Sequence, residues 1–171
     1  FILERGGAWP ERPAGLFAGF VRVLLGREAD RGHLDWPGPE PLERALAALA
    51  ESLQPLGQGT RLPRTEIETR IPVADVSPAT VVRLGLAATL LDTELAADGA
   101  EQVRFYHHQL QEYFAAQALK TAFEAGENLR TRWKQPRLAR EMPAPGPLGD
   151  YEPLPPPPTT GWEEPTVLAT G

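Results

Sequence analysis

The chain has 171 residues and a formal charge of −6, long enough for one ordinary domain with a buried core. An acidic chain is a poor non-specific ligand for nucleic acid or an anionic membrane, since both need a cationic surface. The absence of cysteine excludes disulfides and thiolate metal sites and suits a reducing, cytoplasmic compartment.

No apolar run approaches bilayer-spanning length. Phe1-Ile2-Leu3-Glu4-Arg5 lacks the basic and apolar regions of a signal peptide. The chain begins mid-pattern and stops abruptly after Val167-Leu168-Ala169, so both ends read as cuts.

The first predicted helix runs from about Ala14 to Glu28. Leu16, Phe17, Phe20, Val23 and Leu24 recur at three- and four-residue spacings, which gives one broad apolar stripe. Pro13 suits its first turn. A loop from Gly32 to Pro39 carries Trp36. The second helix spans about Pro41 to Leu56, with Leu42, Leu46, Leu49, Leu53 and Leu56 as its face and Gly57 and Gly59 as its stop. Pro63 opens a short helix over Arg64 to Arg70. Ser77-Pro78 opens the next, with serine as cap and proline at the first position. Its face is Val81, Leu84, Ala88 and Leu91.

A hairpin follows, with strands at Leu91 to Leu95 and Val103 to His107 around Ala97-Asp98-Gly99. Alternation sends Val103, Phe105 and His107 to one face. A long helix then runs from about His108 to Ala125, and Gly126 ends it. From Pro136 onward, Pro143, Pro145, Pro147, Pro153 and the run Pro155 to Pro158 forbid regular helix. This tail reads as an extended linker with Trp162 as an anchor. The expected fold is mainly α with a small β-hairpin. Three helices closed by a hairpin make a winged-helix arrangement, here flanked by helices and a proline-rich tail.

The stretch Val103-Arg104-Phe105-Tyr106-His107-His108-Gln109-Leu110-Gln111-Glu112-Tyr113-Phe114-Ala115-Ala116 resembles a signature of the NACHT-type (STAND) signalling NTPases. Its pattern is Phe-x-His-x-x-(Phe/Leu)-Gln-Glu-(Tyr/Phe)-Phe-Ala-Ala. Leu16-Phe17 with Val23-Leu24-Leu25-Gly26-Arg27-Glu28 resembles the helix closing that family's helical lid. Gly59-Thr60-Arg61-Leu62-Pro63 resembles the early winged helix, and Pro155 to Glu164 the strap into C-terminal helical repeats. Pro10-Glu11-Arg12-Pro13 departs from the Asn-Arg pair that members often carry after the proline.

The resemblance implies four parts. Residues 1–32 would end the helical lid, 33–107 would be the winged helix, 108–135 the following helix, and 136–171 the linker toward repeats. It also implies a regulatory segment of an ATP-driven switch in bacterial defence or signalling. ADP or ATP with Mg would be bound mainly by an upstream P-loop domain. The winged helix would hold the ADP state closed, and exchange for ATP would release it and allow homo-oligomerisation. Partners would be the upstream domain and the downstream repeats. The family's phosphate-touching histidine carries over to His107.

Elementary chemistry permits that role. A helix N-terminus offers unpaired N–H groups and partial positive charge to an anion. One charge-assisted hydrogen bond contributes about 1.5–3 kcal/mol, which biases an equilibrium by roughly ten- to a hundredfold. Apart from family, the face shared with Val103 and Phe105 reads as a core position. His108 reads as a helix-start residue, and His33, beside Asp35, as surface. Gln111 and Glu112 read as packing and capping residues. The Ser77 to Leu90 helix occupies the place of a DNA-recognition helix but offers one cation, Arg83, where phosphate and base contacts need several. The proline strap reads as a spacer to repeats.

The sequence lacks a Gly-x-x-x-x-Gly-Lys-(Ser/Thr) loop, a magnesium-binding acidic run and any Ser-His-Asp or Cys-His arrangement. The chain is therefore expected to be no enzyme on its own. The rival readings are a winged-helix DNA-binding regulator and a protein-interaction adaptor without nucleotide.

Overall fold

A computed structural model describes residues 13–57, 59–72, 75–132 and 160–170. Helix α1 is Pro13–Asp30 and α2 is Pro39–Leu53, followed by a 3-10 turn at Gln54–Leu56. Then come β1 (Leu62–Pro63), α3 (Arg64–Arg70), α4 (Pro78–Ala87), β2 (Leu91–Leu95) and β3 (Glu101–Phe105). Helix α5 is His108–Glu124, and a last helix, α6, is Glu163–Ala169. The architecture is mainly helical with one small antiparallel sheet of order β1-β3-β2. Among the described residues no helix is long and apolar enough to cross a membrane.

The leucine ladder of α2 becomes the spine of the core. Leu42, Leu46, Leu49 and Leu53 have no solvent exposure, as spacings of three and four place them on one face. That face lies mainly against α5. In α1 the buried stripe is narrower than the sequence implies. Val21, Leu25 and Glu28 are buried, whereas Leu16, Phe20 and Val23 face outward. The helix is apolar on more than one side, so its neighbours decide which side turns inward; those are α2, α5 and α6.

Three further differences concern the sheet and the tail. Strand β1 is only two residues long, and Leu62 pairs with Val103. Strand β3 ends at Phe105, two residues before the predicted end at His107. The predicted linker over 136–171 contains a helix, α6; residues 133–159 lie outside the described segments. Pro165 is the third residue of α6, where no intrahelical N–H bond is required. Glu163 caps the helix by reaching back. Its carboxylate accepts from the Thr160 amide at 2.6 Å, the Thr160 hydroxyl at 2.9 Å and the Gly161 amide at 2.9 Å. Burial pulls the Glu163 pKa up, but these donors outweigh it and hold it below its ordinary value. Trp162 and Leu168 are thereby delivered into the core.

Helix α4 starts as its sequence announces, with the Ser77 hydroxyl accepting the Thr80 amide at 3.2 Å. Its end is tighter. Thr89 donates to the Leu86 carbonyl and Leu90 to the Gly85 carbonyl, at 3.0 and 2.9 Å. This is a Schellman closure, which needs a left-handed residue. Thr89 supplies it with φ 60°, a costly conformation for a β-branched side chain. Gly85 lets β2 approach, because a Cβ there would lie 2.7 Å from Leu91 Cδ1.

Glu28 is a fully buried carboxylate held by three side chains. Arg31 donates to both its oxygens at 3.0 and 3.1 Å, Arg27 Nε lies at 3.1 Å, and His33 Nε2 at 3.0 Å. Arg27 also donates to the Ala87 carbonyl at 3.2 Å, tying α1 to the end of α4. Burial pulls the Glu28 pKa up, and the hydrogen bonds from His33, Arg27 and Arg31 more than reverse this. His33, predicted as a surface residue, is part of this cluster.

Two measurements check these features. In urea melts, Gly85→Ala should lose about 1–3 kcal/mol from overpacking, while Thr89→Gly should gain about 1 kcal/mol from relief of the left-handed strain. Glu28→Gln should cost about 1.5–3 kcal/mol at neutral pH. The folded pKa of Glu28 is depressed. Its contribution is therefore complete above the ordinary carboxylate range and lost as pH falls through the depressed value. Stability between pH 7 and 3 should accordingly drop more steeply in the parent chain than in Glu28→Gln.

Candidate functional site

The sheet-to-helix junction after β3 is built by a change of backbone direction. Phe105 closes the ladder opposite Leu91, and the Tyr106 amide donates to the Leu90 carbonyl at 3.0 Å. His107 then keeps extended backbone, φ −137° and ψ 142°, as the N-cap of α5. Its Nδ1 accepts the Gln109 amide at 3.3 Å. Its carbonyl accepts the Leu110 amide at 2.9 Å. An N-cap acceptor satisfies one of the orphan donors of a helix start.

The cap fixes the ring's chemistry. A nitrogen that accepts a hydrogen bond carries no proton, so a neutral His107 ring carries its proton on Nε2. That leaves a donor for an external acceptor. The side chain is exposed, which corrects the expectation of a core position alongside Val103 and Phe105. Those two are buried. Alternation stops at Phe105, and the turn into α5 swings His107 outward. The rings of His107 and His108 lie 4.3 Å apart, and His108 is exposed too.

Around this junction the surface has identifiable neighbours. Leu90 anchors Tyr106, so the strained Thr89 corner sits beside it. Arg27 reaches the same end of α4 through Ala87. Tyr106 is exposed. The junction thus gathers a histidine with a fixed cap, a helix N-terminus and the end of α4. The neutral ring leaves Nε2–H as a donor on this surface, with the His108 ring beside it.

Gln111 and Glu112 point inward and are buried. Gln111 Nε2 donates to Gln54 Oε1 at 3.1 Å and to the Gly57 carbonyl at 3.3 Å. Gln54 Nε2 in turn donates to the Gly161 carbonyl. These contacts tie α5, the turn after α2 and the approach to α6 into one network. The sequence reading missed Gln54, because one polar residue closing a leucine helix carries no distinctive signal.

Other candidates fall elsewhere. Arg83, the cation of α4, is paired with Asp35, and Thr80 also donates to Asp35, at 3.2 Å. The Arg83 partner holds the Asp35 carboxyl below its ordinary pKa. Among the described residues no group of three or more His, Asp or Glu side chains is placed to share a metal ion. No family model, curated protein or solved structure matches this chain.

The capping assignment is open to direct measurement. His107→Ala should lose about 0.5–1.5 kcal/mol through fraying of the first turn of α5, while His107→Asn should recover most of it, since asparagine is a strong cap. Urea melts and amide exchange at Gln109 and Leu110 would read both. Equal stability of the alanine and parent chains would remove the cap from the description.

Proposed function

We propose that this chain is the regulatory segment of a NACHT-type signalling ATPase, holding the ADP-bound state closed through His107. The proposal rests on the run from Val103 to Ala116, which resembles the family signature, together with the exposed, capped position of His107 before α5. The order α2, β1, α3, α4, β2, β3 supports reading residues 33–107 as a winged helix. Residues 1–32, of which 13–32 are described, are then the end of the lid, and α5 is the helix the winged helix feeds.

A phosphate fits the chemistry of the junction. With Nδ1 occupied by the cap, Nε2–H is the donor His107 presents. The neutral, capped ring can give this proton to a phosphate oxygen without releasing the cap. The dipole of α5, a helix of 17 residues, adds partial positive charge at the same end. Bound ADP or ATP with Mg supplies the charge that this corner answers, and an upstream P-loop domain holds it. Replacement of ADP by ATP frees the winged helix, and the opened protein oligomerises in a cytoplasmic defence or signalling response. The segment does no chemistry by itself.

Nothing at α4 favours the DNA-binding reading. Its buried face is Val81, Val82, Leu84 and Gly85, and Arg83 is engaged with Asp35.

The test uses the polypeptide in which this segment follows its P-loop domain. His107→Asn keeps the cap and removes Nε2–H. It should speed ADP release by about ten- to a hundredfold and promote oligomerisation, as His107→Ala should. Stopped-flow release of a fluorescent ADP and size-exclusion chromatography would measure this. Unchanged ADP retention in a folded His107→Asn protein would overturn the phosphate contact, and an upstream sequence without a P-loop would overturn the whole reading.

A further inference from the structure

A second surface lies between α2 and α5. It is a groove of about 490 Å³, within the roughly 300–1,000 Å³ range of ligand pockets. Ala47 and Ala48 from α2 and Ala118 and Ala122 from α5 line it. Four small side chains leave a furrow where two helices would ordinarily interdigitate larger ones. Its walls, α2 and α5, are extensively packed on each other.

The charges along the furrow are unevenly compensated. Both arginines of its lining already have carboxylate partners. Arg132 Nε donates to Glu51 at 2.7 Å, and its Nη2 lies 3.3 Å from Glu127. Arg44 is drawn to Asp75 at 2.7 Å. Glu40 and Glu43 also line the furrow, one helical turn apart, and no described ion pair engages either. Glu43 is half-buried, and desolvation raises its pKa; the charge of Arg22 opposes this only in part, and Glu40 adds to it. An apolar furrow with two carboxylates that no described ion pair engages, Glu43 being only partly offset by Arg22, fits a long cationic side chain. Its aliphatic stem covers alanine, and its head meets the acids.

We propose that the α2–α5 furrow is a docking site for a basic peptide segment of a protein partner, with an arginine or lysine laid along the alanines and its head at Glu43 and Glu40. The alanines set the shape and the carboxylates set the sign. The furrow is separate from the His107 junction, so this inference stands whether or not that corner meets a nucleotide.

The experiment uses the full chain and two fluorescein-labelled peptides, one of alternating arginine and alanine and one with glutamate in place of arginine, read by fluorescence anisotropy. The basic peptide should bind and the acidic one should not. Glu40→Gln with Glu43→Gln should weaken binding by about tenfold or more. Ala48→Met, which fills the furrow without altering charge, should weaken it by a comparable factor. Far-ultraviolet circular dichroism would verify that both variants fold. Binding that survives Ala48→Met would mean attraction to an acidic surface without a groove and would overturn the proposal. So would equal binding of both peptides, or no binding of either. Sedimentation showing self-association that Ala48→Met abolishes would assign the furrow to a second copy of this chain, again overturning it.

Discussion

The burial of α5 is the constraint on which the other elements depend. Every residue from Leu110 to Ala116 is buried, so this half of the helix has no solvent face. A helix enclosed on all sides needs partners on all sides. It finds α2 and the turn after it, α1, β3 and α6. Phe114 packs against Phe105 of the sheet at 5.8 Å between ring centres, and Tyr113 against Phe17 of α1 at 5.9 Å. Ala115 and Ala116 permit close approach where aromatic side chains would hold neighbours away. Gln111 is a polar cost of that enclosure: its Nε2 donates to Gln54 and to the Gly57 carbonyl, while its Oε1 stays buried with no hydrogen-bond partner among the described residues.

Much of the helical framework was legible, and the physical reason is periodicity. Where leucines recur along α2, or where Ser77-Pro78 opens α4, a local signal and the tertiary demand agree. The boundaries of α3 were readable for the same reason. What escaped notice lacked a local signal. Strand β1 is two residues long and exists only because β3 offers it an edge. Helix α6 was hidden by the prolines around it, although Pro165 falls where a helix tolerates proline. Glu163 three residues after Thr160 is a helix-start pattern that could have revealed it.

The candidate site was legible in part. The signature located His107, and the sequence placed it at the mouth of α5. Its burial was misjudged because strand alternation was extended two residues too far. The cap through Nδ1 could not be read from residue order alone, since it depends on the turn that exposes the ring. Glu28 is a sharper case. A glutamate near the end of an amphipathic helix reads as a solvated residue, yet here it is buried under three nitrogen-bearing side chains. Only the convergence of α1, the following loop and the end of α4 makes that position tenable.

The return of the chain at Trp162 has a mechanical consequence. Helix α6 lies against α5 and touches α1, and the chain just before it is tied to the first turn of α5 through Gly161, Gln54 and Gln111. A pull applied at Thr170 would therefore be transmitted first to α5 and α1. The hairpin would feel that force only second-hand, through the elements packed on it. Gln111 lies one helical turn from His107, so tension where the chain returns would reach the junction through this polar relay.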